Sequence, residues 1–202
     1  MSKINKLFER LSRFFRFLIS DSYKLNNKYQ NKNQITNAEL ILNVLKTRGF
    51  NPKYIIDVGC GYHPFKGKIK NLIGIDPANE AADYQLSIEE YAERFQPGAD
   101  TLFDVAIIFG SINFGEYDDI TRQIHAVRSV LQPRSKIFWR CNPARTDHGN
   151  EECKDINFFE WSEDYMKEFA EMFGFNIDFM CREQLKTVDK ERIYAEWSRP
   201  YK

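Results

Sequence analysis

The chain has 202 residues, 43% hydrophobic and 29% charged, the balance of an ordinary globular domain with room for a full sheet and its helices. Its 29 basic and 29 acidic residues cancel, which removes any global field for nucleic acid. Cys60, Cys141, Cys153 and Cys181 share no C-x-x-C spacing, so no metal site is expected and nothing marks an oxidising compartment. No apolar run approaches the roughly 20 residues that span a bilayer. Charges recurring through Arg16 argue against a secretory signal, and the default location is cytoplasmic.

Residues 1–20 read as an amphipathic helix. Ile4, Leu7, Phe8, Leu11, Phe14, Phe15, Leu18 and Ile19 follow helical spacing, and Lys3, Lys6, Arg10, Arg13 and Arg16 outnumber Glu9. Such a stripe usually packs on its own domain or covers a ligand site; a basic one can also lie weakly on an anionic membrane surface or a partner. Residues 21–34 are polar and read as a linker, which sets residues 1–35 apart from a main domain at 36–202. A second helix opens on the capping box Thr36/Glu39, carries Leu40, Ile41, Val44 and Leu45 on one face, and stops at Gly49.

Strands and helices then alternate. Tyr54–Val58 and Leu72–Ile75 are short apolar runs of the kind buried on both faces, and Asp83–Gln85 is a weaker third strand. Ser87 and Glu90 repeat the capping-box pattern and open a helix to about Phe95. A strand at Phe103–Phe109 precedes a helix at Asp119–Leu131, with Ile120, Ile124, Val127 and Leu131 on one face and Pro133 beyond its end. A fifth strand at Lys136–Trp139, a long polar loop from Asn142 to Asp155, a helix from Ser162 to Phe173 closed by Gly174, and strands at Phe175–Cys181 and Arg192–Trp197 complete the chain. This alternation predicts an α/β fold, a doubly wound, mostly parallel sheet with helices on both faces and N-terminal helices before it.

Gly59 and Gly61 directly follow a buried strand, where glycines let the backbone turn sharply and approach a ligand. Asp76 ends the second strand, 19 residues beyond Asp57, where an acid accepts hydrogen bonds from ribose hydroxyls in doubly wound folds. The hydride-transfer fingerprint G-x-G-x-x-G fails because position 64 is Pro. A phosphate-binding P-loop fails twice: Gly61 and Gly67 are six apart, and Ile69 follows Lys68 in place of Ser or Thr.

Asp57-Val-Gly-Cys-Gly61, Gly74-Ile-Asp76, Phe103-Asp-Val-Ala-Ile-Ile108, Val130-Leu-Gln-Pro133, Trp161 and Gly174-Phe175 together resemble the class I S-adenosylmethionine (SAM)-dependent methyltransferases over about residues 53–197. The resemblance implies a seven-stranded sheet whose last strand is antiparallel, and SAM as cofactor. It implies that Gly59, Cys60 and Gly61 pass under the methionine part with Asp57 nearby, and that Asp76 and Pro77 sit at the ribose. Ser87 and Ile88 would lie at the adenine, and Phe109, Gly110 and Ser111 would border the methyl donor. The short stretch between the two motifs implies a first helix shortened by about a turn, with Pro64 at its first position. At the adenine position the capping box gives Ser87 a competing, structural role. Gly110-Ser-Ile-Asn-Phe-Gly115 lacks the D/N-P-P-Y/F motif of adenine and amide N-methyltransferases.

Methyl transfer needs alignment more than acid–base groups, so catalytic residues leave little signature. The weak candidates are His63 in the first turn, Asn113 and Tyr117 after the Phe103–Phe109 strand, and Arg145 and His148 in the long polar loop. The expected function is methyl transfer from SAM to an acceptor, most simply a small molecule. Aminopropyl transfer, cofactor cleavage and a non-catalytic binding role stay open, because a fold hosts many functions.

Overall fold

The computed structural model describes residues 41, 45, 49–95, 102–143, 157–185 and 190–201. The expected helix at 1–20, the linker, and the loop carrying Arg145 and His148 lie outside them. Ile41 and Leu45, both helical and buried, are the described part of the second expected helix.

Six strands form one sheet: β1 (Ile55–Val58), β2 (Leu72–Ile75), β3 (Phe103–Phe109), β4 (Leu131–Cys141), β5 (Asn176–Leu185) and β6 (Lys190–Ser198). Their order is β2-β1-β3-β4-β6-β5. The first four run parallel, and β6 is antiparallel to both neighbours, β4 and β5. Three helices accompany them: α1 (Ile88–Arg94), α2 (Tyr117–Val130) and α3 (Glu163–Met172). The mostly parallel α/β sheet and its antiparallel last strand match the expectation, but its seven strands become six among the described residues. At the expected third strand only Tyr84 pairs, in a single parallel bridge with Ile75. The Asp83 and Tyr84 N–H groups both bond Gly74 O, and the Asp83 carboxylate takes the His63 ring and the Gly74 N–H.

The shortened helix expected after Gly61 is absent as well. His63 N–H bonds Cys60 O, Lys66 N–H bonds His63 O, and Ile69 N–H bonds Phe65 O, a series of turns without a regular ladder. Pro64 has no N–H to give, and His63 and Gly67 sit at φ 55° and 74°, outside the helical region.

Elsewhere the local signals act as read. Ser87 accepts the Glu90 N–H while the Glu90 carboxylate accepts the Ser87 N–H, closing the capping box of α1. The helix α2 ends at Val130, three residues before Pro133, and Leu131 already belongs to β4. Gly174, at φ 69°, ends α3: its N–H bonds Glu171 O and the Phe175 N–H bonds Ala170 O.

The core has two sides. On one, Ile56, Ile108, Ile137 and Trp139 pack against Ile120, Ile124 and Val127 of α2 and Met166 and Phe169 of α3. On the other, Ile55, Val105, Ile107 and Phe138 meet Phe65, Ile69 and the helical Ile41 and Leu45. Both faces of the parallel strands are thus apolar, which is why their sequences are unbroken hydrophobic runs. No helix among the described residues is long and apolar enough to cross a membrane.

Candidate functional site

The strand order reverses between β2-β1 and β3, so the turns after β1 and β3 leave the carboxyl edge side by side and open the crevice where doubly wound folds take ligands. Gly59 and Gly61 hold φ 66° and 54°. A Cβ at Gly59 would collide with the Cβ of Ser111, so this glycine makes room for the turn after β3 rather than directly for a ligand. Gly110, at φ 84°, would meet nothing within 4 Å and faces open space.

Asp76 ties this crevice together. Its Oδ2 accepts the Gly61 N–H at 3.0 Å and its Oδ1 the Ala78 N–H at 2.9 Å. Each oxygen keeps a lone pair for a further donor. Asp57, the third residue of β1, is almost fully buried, and its Oδ2 has no hydrogen-bond partner. Burial, with the Asp76 charge beside it, pushes the Asp57 carboxyl up to about 8. Burial, reinforced by Asp57 and Asp76, likewise pushes the Cys60 thiol up, so Cys60 is an inert neutral group here.

His63 is buried against Gly74, where a Cβ would fall within 2.5 Å of its Nε2. That nitrogen lies 2.7 Å from Asp83 Oδ2, which also accepts the Gly74 N–H at 3.0 Å, while Lys66 Nζ reaches Asp83 Oδ1 at 2.7 Å. Burial works against the Asp83 charge, but the Gly74 N–H, Lys66 and His63 hold its pKa well below the usual carboxylate range. His63 therefore fastens the first turn to β2. Sequence reading missed Asp83, whose neighbours carry no pattern that marks a hub.

The crevice gathers Asp57, Gly59, Cys60, Gly61, Asp76, Gly110 and Ser111, with Pro77 exposed just after Asp76. Ser87 is spent on the cap of α1, Ile88 is buried in the core, and Phe109 lies under the Arg140 guanidinium, 4.7 Å from its ring centroid. Asn113 is buried and donates from Nδ2 to Gly110 O at 3.3 Å, leaving Oδ1 unpartnered. The Tyr117 hydroxyl donates to Glu168 Oε1 at 2.5 Å, and that carboxylate pushes the phenol up to about 12. Arg145 and His148 lie outside the described residues.

The segment after β4 closes over the turn after β3. Phe159 N–H donates to Asn113 O at 2.8 Å, and the indole Nε1 of buried Trp161 donates to Ile112 O at 2.9 Å. Together they border a cavity of about 500 Å³ whose walls include Glu116, Phe159, Glu160, Trp161 and Tyr165. Among the described residues no three His, Cys, Asp or Glu side chains are grouped to hold a metal ion.

No protein-family model matches the chain, and no curated protein sequence matches it. Solved structures do. The chain is similar to the 1,6-didemethyltoxoflavin N1-methyltransferase of Burkholderia thailandensis, with 12% identity and a TM-score of 0.70 over 96% of this chain and 90% of that one. That structure holds 1,6-didemethyltoxoflavin and S-adenosylhomocysteine (SAH). It is similar to the N-methyltransferase NodS of Bradyrhizobium japonicum WM9, with 14% identity and a TM-score of 0.58 over 83% and 97%. It is also similar to the SAM-bound magnesium protoporphyrin IX methyltransferase of Synechocystis PCC 6803, with 14% identity and a TM-score of 0.56 over 81% and 78%. By the course of its backbone and the order of its strands, this chain has the fold of the class I SAM-dependent methyltransferases.

Proposed function

We propose that this protein is a SAM-dependent methyltransferase acting on a small molecule, with residues 36–202 as its SAM-binding domain and residues 1–35 as an appended amphipathic helix and linker. One observation carries the reading: at the switch point, the buried Asp57 carboxyl, its Oδ2 unpartnered, stands beside Asp76. An acid whose charging is opposed by burial and by the neighbouring Asp76 suits a ligand that brings positive charge, and SAM carries it at both sulfonium and ammonium groups. The three structural neighbours named above are all methyltransferases, two of them with SAM or SAH bound, and their acceptors include small molecules.

On this reading Asp76 accepts the ribose hydroxyls on its free lone pairs while it holds the Gly61 turn. Asp57, Gly59, Cys60 and Gly61 line the amino-acid end, Pro77 flanks the ribose, and Phe109, Gly110 and Ser111 border the reacting methyl. Ser87 and Ile88 contribute backbone at the adenine, their side chains being engaged elsewhere. SAM supplies an electrophilic methyl group, and the protein's part is to align the nucleophile in line with the carbon–sulfur bond and to exclude water, worth up to roughly 7–11 kcal/mol.

The test is incubation with methyl-labelled SAM and a small-molecule extract. The expected outcome is SAH formation that depends on the extract. Release of methylthioadenosine from SAM, with no SAH, would instead establish cofactor cleavage or transfer of the aminocarboxypropyl chain.

A further inference from the structure

The cavity beyond the glycine turn has a composition that selects its occupant. Its aromatic wall is rigid: the Phe159 ring lies 5.1 Å from Trp161 and 5.0 Å from Tyr165 between centroids. At about 500 Å³ it is large enough for a bicyclic ring system. Of the described residues that line it, two are carboxylates, Glu116 and Glu160, and none is basic. Glu116 is held in place by Asn157, whose Nδ2 donates to its Oε1 at 2.6 Å. Glu160 is exposed on the cavity wall.

The charge of this lining selects among aromatic ligands. A phosphate or carboxylate would meet two like charges and no cation among these residues. An ammonium group is favoured by the carboxylates and by the aromatic faces alike.

We propose that this cavity binds an arylalkylamine in its ammonium form, its flat body against Phe159, Trp161 and Tyr165 and its nitrogen directed to Glu116 and Glu160. The source of the methyl group rests on the methyltransferase reading above; the binding preference does not. In the transfer, the bound ammonium first gives one proton to water, and the freed lone pair of the nitrogen attacks the methyl carbon as the carbon–sulfur bond breaks. The sulfonium becomes a neutral thioether, and the alkylated nitrogen, now positive, releases one proton to water.

The experiment is ligand-observed NMR titration of the full chain with three probes that share an indole body: tryptamine, tryptophol and indole-3-propionate. Tryptamine is expected to bind at least tenfold more tightly than the propionate, with tryptophol between them. Glu160→Gln, which alters an exposed side chain, should narrow that ratio at least threefold, and Glu116→Gln with Glu160→Gln should narrow it further. Tyr165→Ala should weaken all three probes together. Equal or tighter binding of the propionate, a ratio that ignores both carboxylates, or no binding by any probe at millimolar concentration would overturn the proposal. A thermal shift with SAH on the same samples separates the two claims. An SAH shift without amine preference rejects the cavity assignment alone; amine preference without an SAH shift rejects the methyltransferase reading and leaves an amine site.

Discussion

The Asp57 carboxyl has a pKa near 8 in the folded chain against 3.8 for an unperturbed aspartate, so the folded state holds its proton more tightly. Stability from this group is full below about pH 4, falls as pH rises towards 8, and is level above that. Asp57→Asn removes the titration, so it should raise the melting temperature clearly at pH 8 and little at pH 5, on the scale of about 1–3 kcal/mol for a buried unpaired polar group. Calorimetry at the two pH values checks this, and an equal gain at both would contradict the charge assignment. The contact between His63 and Gly74 is testable by a double-mutant cycle. Gly74→Ala places a methyl group in the imidazole and should be destabilising alone. In a His63→Ala background the same change should cost far less, a coupling of about 0.5–3 kcal/mol.

Among the elements, those with local punctuation are legible in the sequence. Ser87/Glu90, Ser162 and Gly174 set the ends of α1 and α3 through bonds between near neighbours in the chain. Gly174→Ala tests one such end: the site has open space, so the cost is purely that of φ 69° in a residue with a Cβ, about 1 kcal/mol by chemical denaturation. The segment between β1 and β2 was less legible because its order comes from distant partners. Asp83 takes the His63 ring, the Lys66 ammonium and the Gly74 N–H, which turns an expected strand into a clasp and an expected helix into turns. Likewise β4 begins at Leu131, well before the apolar run at Lys136, because Leu131 pairs with Phe103 across a register shift that no local pattern encodes.

At the scale of the whole molecule, the sheet order puts the turns after β1 and β3 edge to edge, and the two sequence motifs meet there although Asp57 and Ser111 are far apart in the chain. The glycine turn and Asp76 were readable because strand, turn and acid recur in a fixed geometry. The cavity walls were not, because Glu116, Phe159, Glu160 and Tyr165 come together only when the segment after β4 bonds to the turn after β3. The similarity to solved methyltransferases at 12–14% identity rests on this same strand order, and the chemistry rests on what occupies the crevice. Isothermal titration with SAH, on the wild type and on Asp76→Asn, asks that directly. The wild type should bind one equivalent, and at about 100 times its dissociation constant SAH should add roughly 2.7 kcal/mol of stability. Asp76→Asn should lose tenfold or more in affinity, in line with about 1.5–3 kcal/mol for hydrogen bonds to a charged group. Absence of heat and of any thermal shift with millimolar SAH or SAM would contradict the account.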